Sequence, residues 1–597
     1  MNKILSKFLY VTKGKHKVLL GIACLFIISS LLEMIGVGLI GPFAAMVTDP
    51  KFIDNTTWLK ILYVEASFES PTKFIFYFGI LTVVAFYLKA GLNFITQKSV
   101  AQFAHSLKGD LSYRLMKSYL AAPYTLHLTR NSADLVQSTI TSTDHFCIGF
   151  VMSLLTAISN TVVIIALVIL LVWTNAVASI GISVVLLISF ALLNPLKKRL
   201  TRWGKEGYNA SAQMIRTLNH GLGGLKETRI IGCEPYFEEK MSEAAQKYSM
   251  NMGLASGYAN LPRYIVEAVI ISFLIIFAFI FVTFNQENSQ NISSIFGIFA
   301  IASIRLLPAT GNTISCINVM RYNSHSLDVL FSELKEVERK QDSNTSNTSI
   351  RDEQDSWHKQ TDKISFQEKI VIDNLVYKYP SGAINALDGI SLTIKKGQSI
   401  GLIGKSGSGK TTLVDVLMGL LSPASGDIRV DGISVYSQLR AWQNLIGYVP
   451  QSIFLIDDTL ERNIAFGVPD NLIDRQRLQK AIEAAQLSEV VEKLPMGSNT
   501  IVGERGVLLS GGQRQRVGIA RALYHEKEIL VFDEATAALD NETESLITDA
   551  TKVLSASKTI IIIAHRLTTI EHCDRIYRLE KGGIVNSGNY EAVVLGQ

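Results

Sequence analysis

Long apolar runs alternate with charged segments through the first half of the chain, and this pattern predicts helices that cross a membrane. A membrane-spanning helix requires about 20 apolar residues. The first run is too long for the apolar core of a cleavable signal peptide, and no small-residue cleavage site separates it from the next run. We therefore predict an α-helical domain in residues 1–338. Its six spans are expected at residues 18–47, 74–94, 146–172, 176–193, 262–284 and 292–308.

The lysine and arginine residues between these runs predict how the spans are oriented. Cytoplasmic loops carry an excess of both residue types. The N-terminal tail and the segments after residues 94 and 193 are rich in them, whereas residues 173–175 and 285–291 contain neither. Both ends of the chain are therefore predicted to lie in the cytoplasm, with the spans in a cell's inner membrane.

The long cytoplasmic segments 96–145 and 201–261 have too regular an apolar pattern for floppy loops. We predict that they continue as helices beyond the membrane. Each contains a break that suits a short transverse helix, at residues 122–130 and 221–229. Residues 58–63, in the first outer loop, are predicted to form a short helix on the membrane surface.

A polar segment divides the chain at residues 339–363. It is rich in Ser, Asn, Thr, Gln, Asp and Lys and almost free of apolar residues, which is typical of a flexible linker. In residues 364–597, short apolar runs typical of buried strands alternate with helical segments. This second part is predicted to be an α/β nucleotide-binding domain, for the reasons that follow.

A glycine-rich loop between a predicted strand, 399–403, and a predicted helix, 412–419, fits the pattern G-x-x-x-x-G-K-[ST]. Glycine lets backbone N–H groups turn inward and bind phosphate oxygens, and the helix N-terminus adds a positive dipole end. The lysine reaches the β- and γ-phosphates, and the first threonine offers its hydroxyl to Mg²⁺. The loop consists of Gly404, Lys405, Ser406, Gly407, Ser408, Gly409, Lys410, Thr411 and Thr412.

Three further motifs follow. Leu509-Ser510-Gly511-Gly512-Gln513 forms a second glycine-bearing loop before a helical stretch. The apolar strand 529–532 ends in two carboxylates, Asp533 and Glu534. The apolar strand 559–564 ends at His565.

From about residue 370 onward the chain resembles the ATP-binding cassette family, because these motifs occur in that family's order. In this resemblance Leu509 to Gln513 match the signature loop, and residues 538–540 match the D-loop. Gln451 matches the Q-loop glutamine, and Tyr379 matches the aromatic residue that stacks on adenine. The fold implied is a membrane domain of exporter type followed by a P-loop ATPase domain.

The resemblance also implies cofactors and roles. ATP and Mg²⁺ are expected, with Glu534 as the general base and with His565 and Lys410 on the γ-phosphate. Mg²⁺ is expected near Thr411, Gln451 and Asp533. Ser510, Gly511, Gly512 and Gln513 are expected to close on the ATP of a second subunit, so that two copies complete two sites head to tail. One full set of ATP residues makes a homodimer sufficient, and a heterodimer stays open.

Composition and charge narrow the class of protein. Hydrophobic residues make up 48% and charged residues 18% of the 597 residues, with a mean hydropathy of +0.25, which is too apolar for a soluble protein of this size. The net charge of +5 gives no reason to expect a nucleic-acid partner. The five cysteines are scattered and form no C-x-x-C pair, so neither a disulfide framework nor a zinc site is indicated.

Charged residues inside predicted spans are costly and indicate function. Lys89, Arg263 and Arg305 are predicted to reach a similar depth in the inner half of the bilayer, where they would suit an anionic headgroup. Structural alternatives stay open at this point: an Arg263–Glu267 pair, snorkelling of Lys89, and a buried partner for Glu33.

A narrower resemblance concerns the spans themselves. Residues 33–42, 261–267 and 304–309 are similar to the corresponding segments of bacterial flippases for lipid-linked oligosaccharides. The resulting hypothesis is ATP-driven flipping of an anionic, polyprenyl- or lipid-linked glycan from the inner to the outer leaflet. An exporter of other lipids, drugs or peptides is the alternative within the class. An ATP-gated channel or regulatory subunit is a more distant one, disfavoured by the complete hydrolytic set.

Overall fold

The computed structural model covers most of both predicted domains. The described residues are 2–174, 180, 191, 196–284, 289–344, 364–380, 382–534, 552, 558–564 and 566–596. The predicted fourth span, 176–193, therefore lies almost wholly outside them, as do His565, the D-loop residues 538–540 and most of the predicted linker. The chain forms two compact units, Met1–Ala122 with His127–Lys340, and Pro123–Leu126 with Gln341–Gln597.

The N-terminal half of the chain is built from helices. Two π-helical segments, Ser138–Ser142 and His145–Met152, lie between the seventh and eighth of them. In chain order the helices are α1 (Asn2–Val11), α2 (His16–Thr48), α3 (Phe52–Asn55), α4 (Thr57–Glu65), α5 (Pro71–Leu120), α6 (Tyr124–Thr129), α7 (Ser132–Gln137), α8 (Ser153–Thr174), α9 (Leu196–Gly223), α10 (Leu225–Ile231), α11 (Glu234–Phe284) and α12 (Ser289–Asn344).

Three segments within the described residues are long and apolar enough to cross a membrane: His16–Thr48, Pro71–Leu120 and Ser132–Trp173. They coincide with the first three predicted spans. The predicted spans 262–284 and 292–308 lie within helices α11 and α12, and their role as spans stays a prediction.

The longest helices extend well beyond a bilayer. Helix α5 has 50 residues, and at 1.5 Å per residue it is about 75 Å long, against roughly 40–45 Å for a whole membrane. Its start is defined locally, because Pro71 occupies the first turn and the Ser70 side chain accepts a hydrogen bond from the Lys73 backbone N–H. The predicted continuation of segment 96–145 as helix is therefore confirmed as far as Leu120.

The predicted short helices are also present. Helix α6 occupies the predicted break at 122–130, and α4 covers residues 58–63. Helix α10 lies near the break at 221–229, although it starts later, at Leu225, and ends at Ile231. The next residue, Gly232, has a φ of 71° and caps the helix.

Helix α12 continues to Asn344, so residues 339–344 are helical although the sequence assigned them to the linker. Ion pairs anchor this end. Arg114 pairs with Glu338 at 2.5 Å, and Arg130 bridges Glu333 and Glu336 at 2.5 Å each. These partners are more than 200 residues apart in sequence, which is why local composition gave no sign of them.

The described residues of the C-terminal unit form two sheets. A four-stranded antiparallel sheet has the order β2-β1-β4-β5, and a six-stranded sheet has the order β10-β9-β3-β8-β7-β6, in which only β10 runs antiparallel to its neighbour. The strands are β1 (Lys369–Tyr377), β2 (Leu387–Lys395), β3 (Ser399–Ile403), β4 (Ser425–Val430), β5 (Ile433–Ser434), β6 (Ile446–Val449), β7 (Ile529–Asp533), β8 (Thr559–Ile563), β9 (Arg575–Glu580) and β10 (Gly583–Gly588).

Helices cover the six-stranded sheet. Strands β3, β7 and β8 are buried along their full length, as parallel strands between helices require. The helices are α13 (Lys410–Leu417), α14 (Leu439–Leu445), α15 (Leu460–Ile464), α16 (Arg475–Ala484), α17 (Ser488–Lys493) and α18 (Gly511–Tyr524). The predicted α/β fold of this second part is therefore confirmed.

Candidate functional site

The order of the parallel strands brings the predicted ATP residues to one edge of the sheet. Strands β3 and β7 flank β8, and β6 follows β7. In open parallel sheets, ligands bind beyond the carboxyl ends of the strands. The glycine-rich loop leaves β3 at this edge, Gln451 follows β6, and Asp533 ends β7.

The glycine-rich loop has a backbone that only glycine fits at two positions. Gly404 has a φ of 151°, and a Cβ there would lie 2.3 Å from the Leu579 carbonyl oxygen. Gly409 has a φ of 103°, and a Cβ there would lie 2.8 Å from the Ala386 carbonyl oxygen. The loop therefore turns tightly into helix α13, whose N-terminus is directed at the space that the loop encloses.

Two polar side chains of the loop suit a phosphate ligand. The buried Lys410 ammonium donates to the carbonyl oxygens of Gly404 at 2.8 Å and Lys405 at 3.3 Å, so it lies across the loop. The Ser408 hydroxyl is buried and, within the described part of the chain, has no hydrogen-bond partner. An anion bound in the loop would accept hydrogen bonds from the Lys410 ammonium and the Ser408 hydroxyl. The triphosphate of ATP requires donors of this kind.

Tyr379, predicted to stack on adenine, lies beside the glycine-rich loop. Its hydroxyl is 3.1 Å from Thr412 Oγ1, and its ring makes an edge contact with Tyr377 at 5.0 Å between ring centroids. The structure thus brings Tyr379 to the nucleotide site, and adenine stacking stays a prediction.

The carboxylates at the end of β7, Asp533 and Glu534, contact one side chain of β6 and one side chain of the loop that follows β6. The Tyr448 hydroxyl donates to Asp533 Oδ2 at 3.1 Å, and the Gln451 amide donates to Glu534 Oε2 at 2.7 Å. Asp533 is 6% exposed, whereas Gln451 is exposed. Glu534 has a positive φ of 51°, which is rare for this residue type and is common at functional sites.

Negative charge accumulates around Asp533 and is suited to a cation. Burial raises the pKa of Asp533, the Tyr448 hydrogen bond partly offsets this, and the charge of Glu534 raises it further. Burial and the charge of Asp533 also raise the pKa of Asp415, on helix α13, to about 6. Bound Mg²⁺ would neutralise this charge and the developing charge on the phosphates. Asp533, Gln451 and the Thr411 hydroxyl are the expected ligands.

The signature loop begins helix α18 with reciprocal hydrogen bonds. The Ser510 hydroxyl accepts from the Gln513 N–H at 3.2 Å, and Gln513 Oε1 accepts from the Ser510 N–H at 2.9 Å. This capping box explains why the Ser and Gln of the motif stand three residues apart. Ser510 and Gly511 are exposed, which leaves the helix N-terminus open to an anion.

Sequence reasoning missed two members of this site, Tyr448 and Asp415. A usable signal existed for both. Tyr448 stands three residues before Gln451 on a strand adjacent to β7, and Asp415 stands inside the helix that follows the glycine-rich loop. Neither position belongs to the motifs, and the three-dimensional contacts show that both lie at the site.

The charged residues of the predicted spans differ in their surroundings. Lys89 is buried and forms a 2.5 Å ion pair with the equally buried Glu33, which joins α5 to α2. Arg263 is exposed, and so is Glu267. Arg305 lies in helix α12, with its side chain outside the described residues. The buried partner of Glu33 that the sequence left open is therefore Lys89.

Comparisons with known proteins agree with this geometry. Residues 387–537 match the family model described as ABC transporter. The ATP-dependent lipid A-core flippase of Cupriavidus pinatubonensis is 30% identical over 516 residues, which cover 83% of each chain. The flippase of the same name from Shewanella frigidimarina is 29% identical over 518 residues, covering 86% of this chain and 83% of the relative.

A solved structure supports the fold over the whole chain. The structure of a bacterial Atm1-family ABC exporter with ATP bound superposes with a TM-score of 0.75 at 21% identity, and the match covers 98% of this chain and 97% of the exporter. The chain joins one helical membrane domain to one ATPase domain, so it has the composition of a half-transporter. It belongs to the ABC transporter family and couples ATP hydrolysis to transport.

Proposed function

We propose that this ABC transporter flips a lipid with an anionic glycan headgroup, most specifically a lipid-linked oligosaccharide, from the inner to the outer leaflet of a cell's inner membrane. The observation that carries the proposal is the similarity along most of the chain to relatives named ATP-dependent lipid A-core flippase. The name of these relatives gives a lipid, lipid A-core, as what they flip. The further choice of a lipid-linked oligosaccharide rests on the residues of the spans.

Two arginines support an anionic headgroup. Helices α11 and α12 approach closely at Arg263, because a Cβ on Gly311 would lie 3.3 Å from the Arg263 Cα atom. Arg305 precedes Gly311 by six residues, so it lies about 9 Å along the helix from this crossing. The two positions are within the span of one pyrophosphate-linked sugar, and guanidinium groups bind phosphate through two parallel hydrogen bonds. Lys89 remains a third candidate, although Glu33 already neutralises it.

The ATP site supplies the driving force in this proposal. Glu534 accepts a proton from the attacking water, and Gln451 holds the Glu534 carboxylate. Lys410 and His565 stabilise the γ-phosphate, while Asp533 and Thr411 hold Mg²⁺. Closing and reopening of the ATP site would switch the spans between inward- and outward-facing states.

We propose a homodimer, because the exposed N-terminus of the signature helix α18, at Ser510 and Gly511, needs a nucleotide from a second subunit. A Lys410→Ala subunit mixed with a Ser510→Arg subunit should form one intact composite site per dimer. ATP turnover of the mixture should then reach a substantial fraction of wild type, whereas each variant alone should be inactive. Absence of turnover at every mixing ratio, with dimers present by size-exclusion chromatography, would contradict the head-to-tail arrangement.

Arg305→Gln should remove the response to substrate and leave basal ATP hydrolysis within about twofold of wild type. Arg305 belongs to the helical unit and is not one of the residues predicted to bind ATP. The measurement is ATPase activity of the purified transporter in nanodiscs with a lipid-linked oligosaccharide pyrophosphate, lipid A-core, a neutral phospholipid or a cationic drug. The wild type should respond to the anionic glycolipids only.

Arg202→Gln is the matched control, since Arg202 is exposed and pairs with Glu206 on the surface of helix α9. It should keep the full response. Stimulation by the drug and not by the glycolipids would favour the drug-exporter alternative. An unchanged glycolipid response in well-folded Arg305→Gln would exclude Arg305 as the headgroup ligand.

A further inference from the structure

The side chain of Tyr448 makes a contact that the hydrolytic motifs do not explain. Tyr448 lies on β6, opposite Val531 of the parallel strand β7, and its hydroxyl donates to Asp533 Oδ2 at 3.1 Å. Its side chain is 37% exposed, so the ring is not a core residue that the sheet needs for packing. A phenylalanine would satisfy the strand equally well. The hydroxyl is therefore the part of this residue with a specific contact.

The contact falls on the carboxylate that the ATP site offers to Mg²⁺. A carboxylate rotates broadly about its terminal torsion unless a partner fixes it. The Tyr448 hydroxyl engages Oδ2 and so orients the Asp533 carboxylate, leaving Oδ1 available at the carboxyl edge of the sheet. Hydrogen bonds of this kind, from a neighbour to a metal ligand, commonly change metal affinity by about 10- to 100-fold.

The surroundings make Tyr448 the donor in this contact. Acidic groups prevail near its hydroxyl, with Asp533 in contact and Asp415 close by. A tyrosine hydroxyl carries its proton at neutral pH, and this one lies 3.1 Å from a carboxylate oxygen. A protonated phenol among carboxylates can only donate to them, which fixes the direction of the hydrogen bond.

We propose that Tyr448 is a positioning residue for the metal ion of the ATPase reaction: its hydroxyl holds the Asp533 carboxylate in the orientation that receives Mg²⁺. This inference rests on the proposed role of Asp533 as the magnesium-side carboxylate. Because Tyr448 lies on the strand that leads to Gln451, it also links the metal side of the site to the Q-loop. Tyr448 touches neither nucleotide nor metal in this account and acts through Asp533.

The test is a metal-binding titration of the full-length transporter in detergent with ATP, in a Glu534→Gln background that prevents turnover. Mn²⁺ replaces Mg²⁺, and its free concentration is followed by electron paramagnetic resonance. Tyr448→Phe should raise the dissociation constant for Mn²⁺ by about tenfold. The dissociation constant of a fluorescent ATP analogue, measured without metal, should stay within twofold of its value in the Glu534→Gln protein that keeps Tyr448.

Tyr577→Phe is the matched control. Its hydroxyl also donates over 3.1 Å, to the Thr393 carbonyl oxygen, but it lies in the buried core away from the carboxylates. This variant should bind Mn²⁺ as before. Asp533→Ala, the positive control, should weaken Mn²⁺ binding at least as much as Tyr448→Phe does.

An unchanged Mn²⁺ affinity in Tyr448→Phe, together with weaker binding in Asp533→Ala, would overturn the role of Tyr448 and leave the ATP site intact. No effect in Asp533→Ala would instead overturn the assignment of Asp533, and the role of Tyr448 with it. ATP turnover gives a second readout, measured with Tyr448→Phe in protein that keeps the native Glu534. Positioning predicts a higher Mg²⁺ midpoint with kcat nearly kept at saturating Mg²⁺, whereas a fold defect that lowers kcat at every Mg²⁺ concentration would contradict the proposal.

Discussion

Glu534→Gln should lower the ATP turnover number by at least about 100-fold, while ATP affinity stays within about threefold of wild type. Glu534 follows the buried strand β7, and its carboxylate is held 2.7 Å from the Gln451 amide nitrogen. Glutamine keeps the shape of the side chain but cannot accept the proton of the attacking water. ATP should therefore bind and stay bound, and the dimer should accumulate in the ATP-closed state.

The measurement is phosphate release by the purified transporter, with ATP retention followed on the same samples. Glu528→Gln is a matched control, because Glu528 is a partly exposed acid just before the opposite end of the same strand, where it pairs with Lys396 at 3.6 Å. Its turnover should equal that of wild type. Wild-type turnover in Glu534→Gln would show that another group acts as the base.

Lys89→Met should destabilise the membrane domain by about 3–5 kcal/mol, since it leaves the Glu33 carboxylate buried without its cation. The two side chains are 7% and 9% exposed and join helices α2 and α5. The Lys89 ammonium also lies 5.1 Å from the centroid of the Phe86 ring. Thermal unfolding of the detergent-solubilised transporter should show a clear drop in Tm.

The double variant Glu33→Gln, Lys89→Met separates a structural role from a substrate role. Removing both charges should restore most of the lost stability, because no buried charge is then unpaired. Flipping by the stable double variant would show that Lys89 serves the fold, and loss of flipping would support its predicted contact with the headgroup. An equally large drop in Tm for the double variant would contradict the ion pair as the cause.

The long helices and the nucleotide loop could be predicted because their causes are local. Twenty consecutive apolar residues have few alternatives to a membrane helix, and this predicted α2, α5 and the segment Ser132–Trp173. The geometry of the phosphate loop could be predicted from its glycines for the same reason. At Gly404 and Gly409 the backbone φ and the nearby carbonyl oxygens exclude a Cβ, so the residue type itself reveals the geometry.

Contacts between distant parts of the chain could not be predicted in this way. Glu33 and Lys89 are 56 residues apart, and Tyr448 and Asp533 are 85 apart, so neither pair shares a motif. The end of α12 shows the same limit, because Glu338 pairs with Arg114 across 224 residues. A sequence identifies such residues as charged or polar, whereas the packing of helices and strands decides which partner each one meets.

Leaflet exchange of a lipid-linked oligosaccharide in proteoliposomes tests the central claim most directly. ATP added outside drives only the transporters whose ATPase domains face outward, so the glycolipid should move from the outer to the inner leaflet. The fraction of glycan protected from an external glycosidase should then rise with ATP, and it should not rise with Glu534→Gln. ATP hydrolysis by the wild type with an unchanged protected fraction, for both lipid-linked oligosaccharide and lipid A-core, would contradict glycolipid flipping as the function of this transporter.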